Sequence, residues 1–251
     1  MQVSRVAVVT GASSGIGAAI AHRATRDGWR CVLLARREDR LRALAEELGG
    51  EFELCDVGDR ESVERVAHAV LERHPRIALL VNNAGIPGRR GFFALEPERI
   101  EEVLRTNYLG GVWCLRAFLP GLEAAAPDAH VVNVVSVAGT IAFAPSGPYS
   151  ASKHAQLAFS RASAAELRSR GIRVHTILPG FVETEGFPQA RVRRNPLLGR
   201  TVIGPARVAE RIAKAIERDE REVFVPAWYR FFALAQTLAP GLVARLSARS
   251  G

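Results

Sequence analysis

The stretch Val6-Ala7-Val8-Val9-Thr10-Gly11-Ala12-Ser13-Ser14-Gly15-Ile16-Gly17 decides how the rest of the chain is read. Apolar residues run into a threonine, and Gly11, Gly15 and Gly17 follow before an alanine-rich segment of helical period. A buried strand, a tight turn and a helix account for that pattern. Glycines at such a turn let backbone N–H groups approach a pyrophosphate, and the helix opening there adds unpaired N–H groups and a partial positive charge. A packing turn without ligand has the same local look. Its position directly behind the first strand favours the binding reading.

Outward from this turn, apolar runs at 6–10, 30–34, 51–55, 77–81, 130–135, 172–178 and 222–225 alternate with helical-period segments at 15–27, 38–48, 60–74, 98–123, 150–170 and 205–218. The alternation predicts an α/β fold, a three-layer doubly wound parallel sheet of about seven strands with helices on both faces, in one domain spanning 1–251. Two segments stand outside the scheme. Residues 181–204, rich in Pro, Gly and Arg, are expected to form a substrate loop. Residues 228–246 form an apolar tail broken at Pro240-Gly241, too short and interrupted to span a bilayer. The tail is expected to cover the substrate pocket or a subunit interface, with contact to a membrane surface as the weaker alternative.

The 251 residues are 48% hydrophobic and 24% charged, which suits one large core. The first strand begins so close to Met1 that no signal peptide fits, so a cytoplasmic protein is expected. Cys31, Cys55 and Cys114 are odd in number and set among apolar residues, and the six histidines show no ligand spacing; neither disulfides nor a metal are expected. The net charge of +8 is scattered along helical segments instead of gathered in a basic tail, which argues against nucleic-acid binding. Of 34 basic residues only Lys153 and Lys214 are lysines. A lysine retained against such a bias draws notice, because burial shifts an ammonium far more readily than a guanidinium.

The second strand ends in Leu34-Ala35-Arg36-Arg37, with no carboxylate where a Rossmann unit holds the free ribose diol of NAD; an arginine there suits a 2′-phosphate. NADP(H) is the expected cofactor, with Arg36 as principal contact and Arg37 assisting, a solvated arginine being the alternative for one of the two. Ser136 follows the fifth strand, where open α/β sheets place ligands, and can hydrogen-bond a substrate oxygen. Tyr149 and Lys153, four apart, share a helix face, so the ammonium is expected to stabilise the phenolate and lower a pKa that is ordinarily near 10.

Together with Asp56-Val57 after the third strand, Asn82-Asn83-Ala84-Gly85 after the fourth, Asn107 in the next helix, and Pro179-Gly180 with Thr184 after the sixth, these motifs extend over nearly the whole chain. In that order they resemble the short-chain dehydrogenases/reductases, specifically their single-domain members of this length. The resemblance implies that Tyr149 is the acid/base, Ser136 polarises a carbonyl, Lys153 tunes Tyr149 and holds the nicotinamide ribose, and Asn107 positions a water that extends the proton relay. It implies a cofactor bed of Gly11, Ser13, Ser14, Gly15, Ile16 and Gly17 at the pyrophosphate. Asp56 and Val57 would lie at the adenine, Asn83, Ala84 and Gly85 along the middle, and Pro179, Gly180, Val182 and Thr184 at the nicotinamide end. One departure is Ser14, where many NADP-preferring relatives carry a basic residue.

The implied function is an NADP(H)-dependent oxidoreductase interconverting a carbonyl and a secondary alcohol, acting as a reductase. Ala138, Thr140, Phe143, Pro145, Phe181 and Phe187 suggest a largely apolar small-molecule substrate. Arg191, Arg193, Arg194 and Arg200 either greet an anionic substrate or form a solvated basic loop. A homo-oligomer, dimer or tetramer, is implied through the helices at 98–123 and 150–170. The alternatives are a non-catalytic NADP-binding redox sensor or scaffold, and a Rossmann epimerase or dehydratase, whose usual longer C-terminal substrate domain has no counterpart here.

Overall fold

In the first strand, β1 (Val6–Thr10), alternate side chains go to opposite layers. Ala7 and Val9 join the cluster around α1 (Gly15–Arg26) and α2 (Glu38–Leu48), whereas Val6 and Val8 join the one around α3 (Arg60–Arg73). The two-residue repeat of a strand makes this division, and it explains why every residue of β1 is buried. The computed structural model describes residues 5–194, 199–241, 243 and 245; residues 195–198 of the expected substrate loop and Leu242, Ala244 and Leu246 of the expected tail lie outside them.

Strands β2 (Arg30–Ala35), β3 (Glu51–Leu54), β4 (Leu79–Asn82), β5 (Ala129–Val134), β6 (Ile172–Pro179) and β7 (Glu222–Val225) complete a seven-stranded sheet. Its order is β3-β2-β1-β4-β5-β6-β7 and every pairing is parallel. α1, α2 and α8 (Pro205–Glu217) cover one face. The other is covered by α3 and α5 (Gly110–Ala125), with Leu167 at the end of α6 (Gly147–Leu167). The chain reverses its direction of travel between β1 and β4, and such a switch point opens a crevice at the carboxyl ends of the strands.

The segment read as one helix over 98–123 is divided. α4 (Pro97–Leu104) runs into a π-helical turn, Arg105–Leu109, and only then into α5. Asn107 sits inside that turn, a kind of helix defect that often marks functional sites. Two further α-helices are α7 (Ala190–Arg193), in the segment after β6, and α9 (Arg230–Leu238), in the tail. The three thiols are free and buried; burial pushes Cys55 up to about 11 and raises Cys31 and Cys114 as well, which keeps them uncharged packing groups. Among the described residues, no helix is long and apolar enough to cross a membrane.

Candidate active site

The turn after β1 is built to hold something close. Gly11 and Gly15 have φ of 65° and 58°, a region that costs residues with a Cβ. A Cβ on Gly11 would stand 2.8 Å from the Ala84 Cα, and one on Gly17 only 2.3 Å from the Gly11 carbonyl oxygen. The outer two glycines therefore let β4 and α1 close on the turn. A Cβ on Gly15 would instead point at the Thr184 methyl, 3.1 Å away. Ser14 caps α1 without a side-chain bond to its backbone, and the first turn holds no acidic residue. This cradle fits a pyrophosphate.

Thr10, the first residue of the glycine-rich motif, organises the cradle. Its hydroxyl donates to the Val81 carbonyl at 3.1 Å and accepts from the Asn83 and Ala84 N–H groups at 3.0 and 3.1 Å. The Asn83 side chain donates back to the Thr10 carbonyl at 3.0 Å, so it braces the two loops against each other. Val57 is buried against Gly110, and Ile16 packs partly into the core. Val182 closes the base of the loop after β6 by a bridge to Ile203.

At the outer edge the two arginines part company. Arg36 turns to Asp56, 3.5 Å away, beside a cavity of about 200 Å³ whose wall includes Asp59, Glu98, Glu101 and Glu102. Arg37 turns back over the glycine turn. Its guanidinium donates to Ser13 Oγ at 3.1 and 3.0 Å and to Ser14 Oγ at 2.6 Å. It also reaches the carboxylate of Glu185 at 3.3 and 3.4 Å, and Arg40 bonds the same carboxylate. Arg37 thus brings a cation from the N-cap of α2 to the side of Ser14, whereas Arg36 faces Asp56 and a cavity whose wall carries further carboxylates together with Arg105.

Ser136, Tyr149 and Lys153 meet beyond the ends of β5 and β6. Ser136 has φ 155° and ψ 157°, a conformation that side chains seldom adopt and that is found at functional sites. Its Oγ accepts from the Ala138 N–H at 3.1 Å and donates to the Pro179 carbonyl at 3.4 Å. Tyr149, in the first turn of α6, hydrogen-bonds Ser136. Lys153, one turn on and 3% exposed, places its Nζ 5.7 Å from the centre of the Tyr149 ring. Its bonds go to Gln156 Oε1 at 2.7 Å and the Val134 carbonyl at 3.2 Å. Asn107 accepts from the Ile86 N–H at 2.7 Å and donates to the Ile86 carbonyl and Ser152 Oγ, each at 3.0 Å. A Cβ on Gly85 would come within 3.3 Å of Asn107 Oδ1, a tight contact, and 3.7 Å of Lys153 Nζ, so Gly85 lies directly against both side chains.

The expected lowering of the tyrosine pKa is not what the protein alone produces. Burial pushes Tyr149 up to about 12, only partly offset by the Ser136 bond, and burial likewise pushes Lys153 down to about 7. Both groups favour their uncharged forms, so at neutral pH the phenol is a proton donor.

The predicted pocket wall divides. Phe187 packs on Tyr149 with ring centres 5.4 Å apart, and its N–H donates to Thr184 Oγ1 at 3.1 Å. Phe181 faces Tyr229 of the tail at 6.3 Å. A Cβ on Gly180 would lie 2.1 Å from the Tyr229 ring, so that glycine is what seats the tail against the end of β6. Beyond Tyr229, the side chains of Phe231, Phe232, Leu234 and Leu238 in the tail are exposed. Arg193 pairs with Glu183 of its own loop at 2.8 Å.

Residues 5–195 match the family described as short chain dehydrogenase. A Streptomyces coelicolor protein assigned as a ketoacyl reductase is 39% identical over 189 residues, 73% of this chain and 72% of the relative. Among solved structures, a single-residue variant of actinorhodin polyketide ketoreductase with NADPH superposes with a TM-score of 0.81 at 32% identity, covering 90% of this chain and 97% of that one. A short-chain dehydrogenase/reductase from Burkholderia phymatum in complex with NAD gives 0.83 at 27% identity, covering 95% of each chain. With its glycine turn, its β-strand order and its serine, tyrosine and lysine at one crevice, the chain belongs to the short-chain dehydrogenase family, whose members are oxidoreductases using a nicotinamide cofactor.

Proposed function

We propose that the protein is an NADP(H)-dependent reductase converting a largely apolar carbonyl compound to a secondary alcohol, with Tyr149 as proton donor. The observation that carries this reading is the convergence of Ser136, Tyr149 and Lys153 beside a cradle whose rim holds Arg37. When bound, the nicotinamide supplies the hydride. The protein supplies position and charge: Tyr149 gives its proton to the substrate oxygen, and Ser136, held by Ala138 and Pro179, hydrogen-bonds that oxygen. Lys153 replenishes the phenol and meets the nicotinamide ribose. Asn107, fixed to both polar groups of Ile86, orients a water behind Lys153. Pro179, Gly180, Val182 and Thr184 lie at the nicotinamide end, Asn83 to Gly85 along the middle, and Asp56 and Val57 at the adenine.

Arg37 is the principal partner of the 2′-phosphate, two parallel charge-assisted bonds being its natural contribution. A relative solved with NADPH supports a phosphate-bearing cofactor, and one solved with NAD shows that the fold admits both kinds. An apolar substrate is supported by Phe187 over Tyr149 and by the Phe181–Tyr229 pair. NADPH consumption by the purified protein with a panel of ketones, keto-esters, steroids and acyl thioesters tests the reading; no turnover with any of them, alongside intact cofactor binding, favours the redox-sensor alternative.

A further inference from the structure

Glu185 stands at a junction that neither the glycine turn nor the catalytic residues need. Its carboxylate is shared by Arg37 and Arg40, three residues apart where α2 begins and therefore on one side of the helix. Arg37 is at the same moment bonded to Ser13 and Ser14 of the phosphate turn. Glu185 also lies between Thr184 and Phe187, and Phe187 rests on the Tyr149 ring. The segment after β6 is thus held at two points, by charge at the outer rim and by ring packing over the phenol.

A carboxylate and a phosphate present the same kind of oxygens to a guanidinium fork. They also repel each other when brought to one site. The three partners are all about half exposed, and pairs in such surroundings are weak enough to exchange. We infer that Glu185 is an internal stand-in for the 2′-phosphate: it occupies Arg37 and Arg40 until the phosphate displaces it, and its departure removes the outer of the two holds on segment 181–194. This rests on the NADP(H) reading above. It makes Glu185 a specificity-determining residue, because a nucleotide without the phosphate has no means of evicting it.

Calorimetric titration of the full chain with 2′,5′-ADP and with 5′-AMP isolates the phosphate, since neither nucleotide carries a nicotinamide to touch the segment. Glu185→Gln should bind 2′,5′-ADP about threefold to tenfold more tightly than wild type, with 5′-AMP unchanged. Saturating 2′,5′-ADP, but not 5′-AMP, should speed tryptic cleavage at Arg193 and Arg194 in wild type, whereas Glu185→Gln should be cleaved fast without nucleotide. Unaltered 2′,5′-ADP affinity in Glu185→Gln, or cleavage indifferent to 2′,5′-ADP, overturns the inference. If Arg37→Ala at the same time loses the preference for 2′,5′-ADP, the cofactor reading stands alone; equal wild-type affinity for both nucleotides removes both.

Discussion

Lys153 gives its shortest hydrogen bond, 2.7 Å, to the amide oxygen of Gln156 one turn further along α6, and not to the tyrosine whose proton it is thought to govern. Gln156 is itself 2% exposed, so a neutral oxygen is what meets the ammonium in an otherwise dry place. The arrangement keeps the lysine Nζ 5.7 Å from the Tyr149 ring centre while leaving its charge poorly solvated, which is the origin of its low pKa.

Tyr149→Phe keeps the ring that Phe187 packs against and loses the transferable proton. Turnover should fall by roughly 10² to 10⁴, with NADPH affinity within about twofold of wild type. Steady-state rates and fluorescence titration of NADPH measure the two, and retained activity would remove Tyr149 from the mechanism.

Lys153 carries a stability cost with a definite sign. Its folded pKa of about 7 lies below its ordinary 10.5, so the unfolded chain takes the proton more readily. The cost to folding is absent above pH 10.5, grows as pH falls towards 7, and is constant below. Lys153→Met should be inactive, and its unfolding free energy relative to wild type should improve between pH 10 and pH 7 by at most about 4 kcal/mol. Urea unfolding at those two pH values checks it; a gap that does not widen places the lysine in a better solvated setting.

On β5 and β6, His130 Nδ1 and His175 Nε2 are 3.0 Å apart, and His175 Nδ1 bonds the Glu220 carbonyl at 2.8 Å. With Nδ1 of His175 donating, its Nε2 accepts from His130, which leaves both rings neutral. Burial, with the neighbouring His175, pushes His130 down to about 4 from 6.5. A group that resists protonation when folded destabilises the protein as pH falls through that window. Stability should drop between pH 6.5 and 4 by about 3 kcal/mol on this account. A His130→Asn variant should show a flatter urea midpoint against pH, and an unchanged slope would acquit the pair.

NADPH should be preferred to NADH by about tenfold to a hundredfold in kcat/KM. Most of that preference should vanish in Arg37→Ala and little in Arg36→Ala. Measuring both cofactors on the three proteins decides it; the opposite order would return the phosphate to Arg36.

Light scattering at micromolar concentration should find a dimer or tetramer, since the family commonly assembles. A monomer there would leave the exposed face of α9 without the neighbour that an oligomer offers it.

Much of this was legible in the chain itself. Strand limits fall within a residue or two because parallel strands buried on both faces read as unbroken apolar runs, as Val6–Val9 does. The break at Arg105–Leu109 has no such sign: a π turn uses the same residues as an α-helix and differs only in which carbonyl each N–H finds. Adjacent arginines look alike on paper, and what separates them is tertiary, Ser13 and Ser14 for one and Asp56 for the other. The bracing role of Thr10 within the motif, and Gln156 altogether, stayed hidden because each is a polar residue turned inward, where a hydrophobic pattern is blind. The buried Asn133, Ser160 and Thr176 are linked in the same way.

The turn at Arg105–Leu109 also shows how the chain absorbs a residue without losing register. A π turn closes its hydrogen bonds over five residues where an α turn uses four, so it takes up one extra residue while α5 keeps its rotation about the helix axis. A plain α-helix carrying the same extra residue would turn α5 by about 100°, and Cys114, Phe118 and Leu122, which point into the layer beneath β4 and β5, would swing out of it together. The π turn therefore acts as a phase adjuster between two helical faces, one presenting Asn107 to the crevice and the other filling the core.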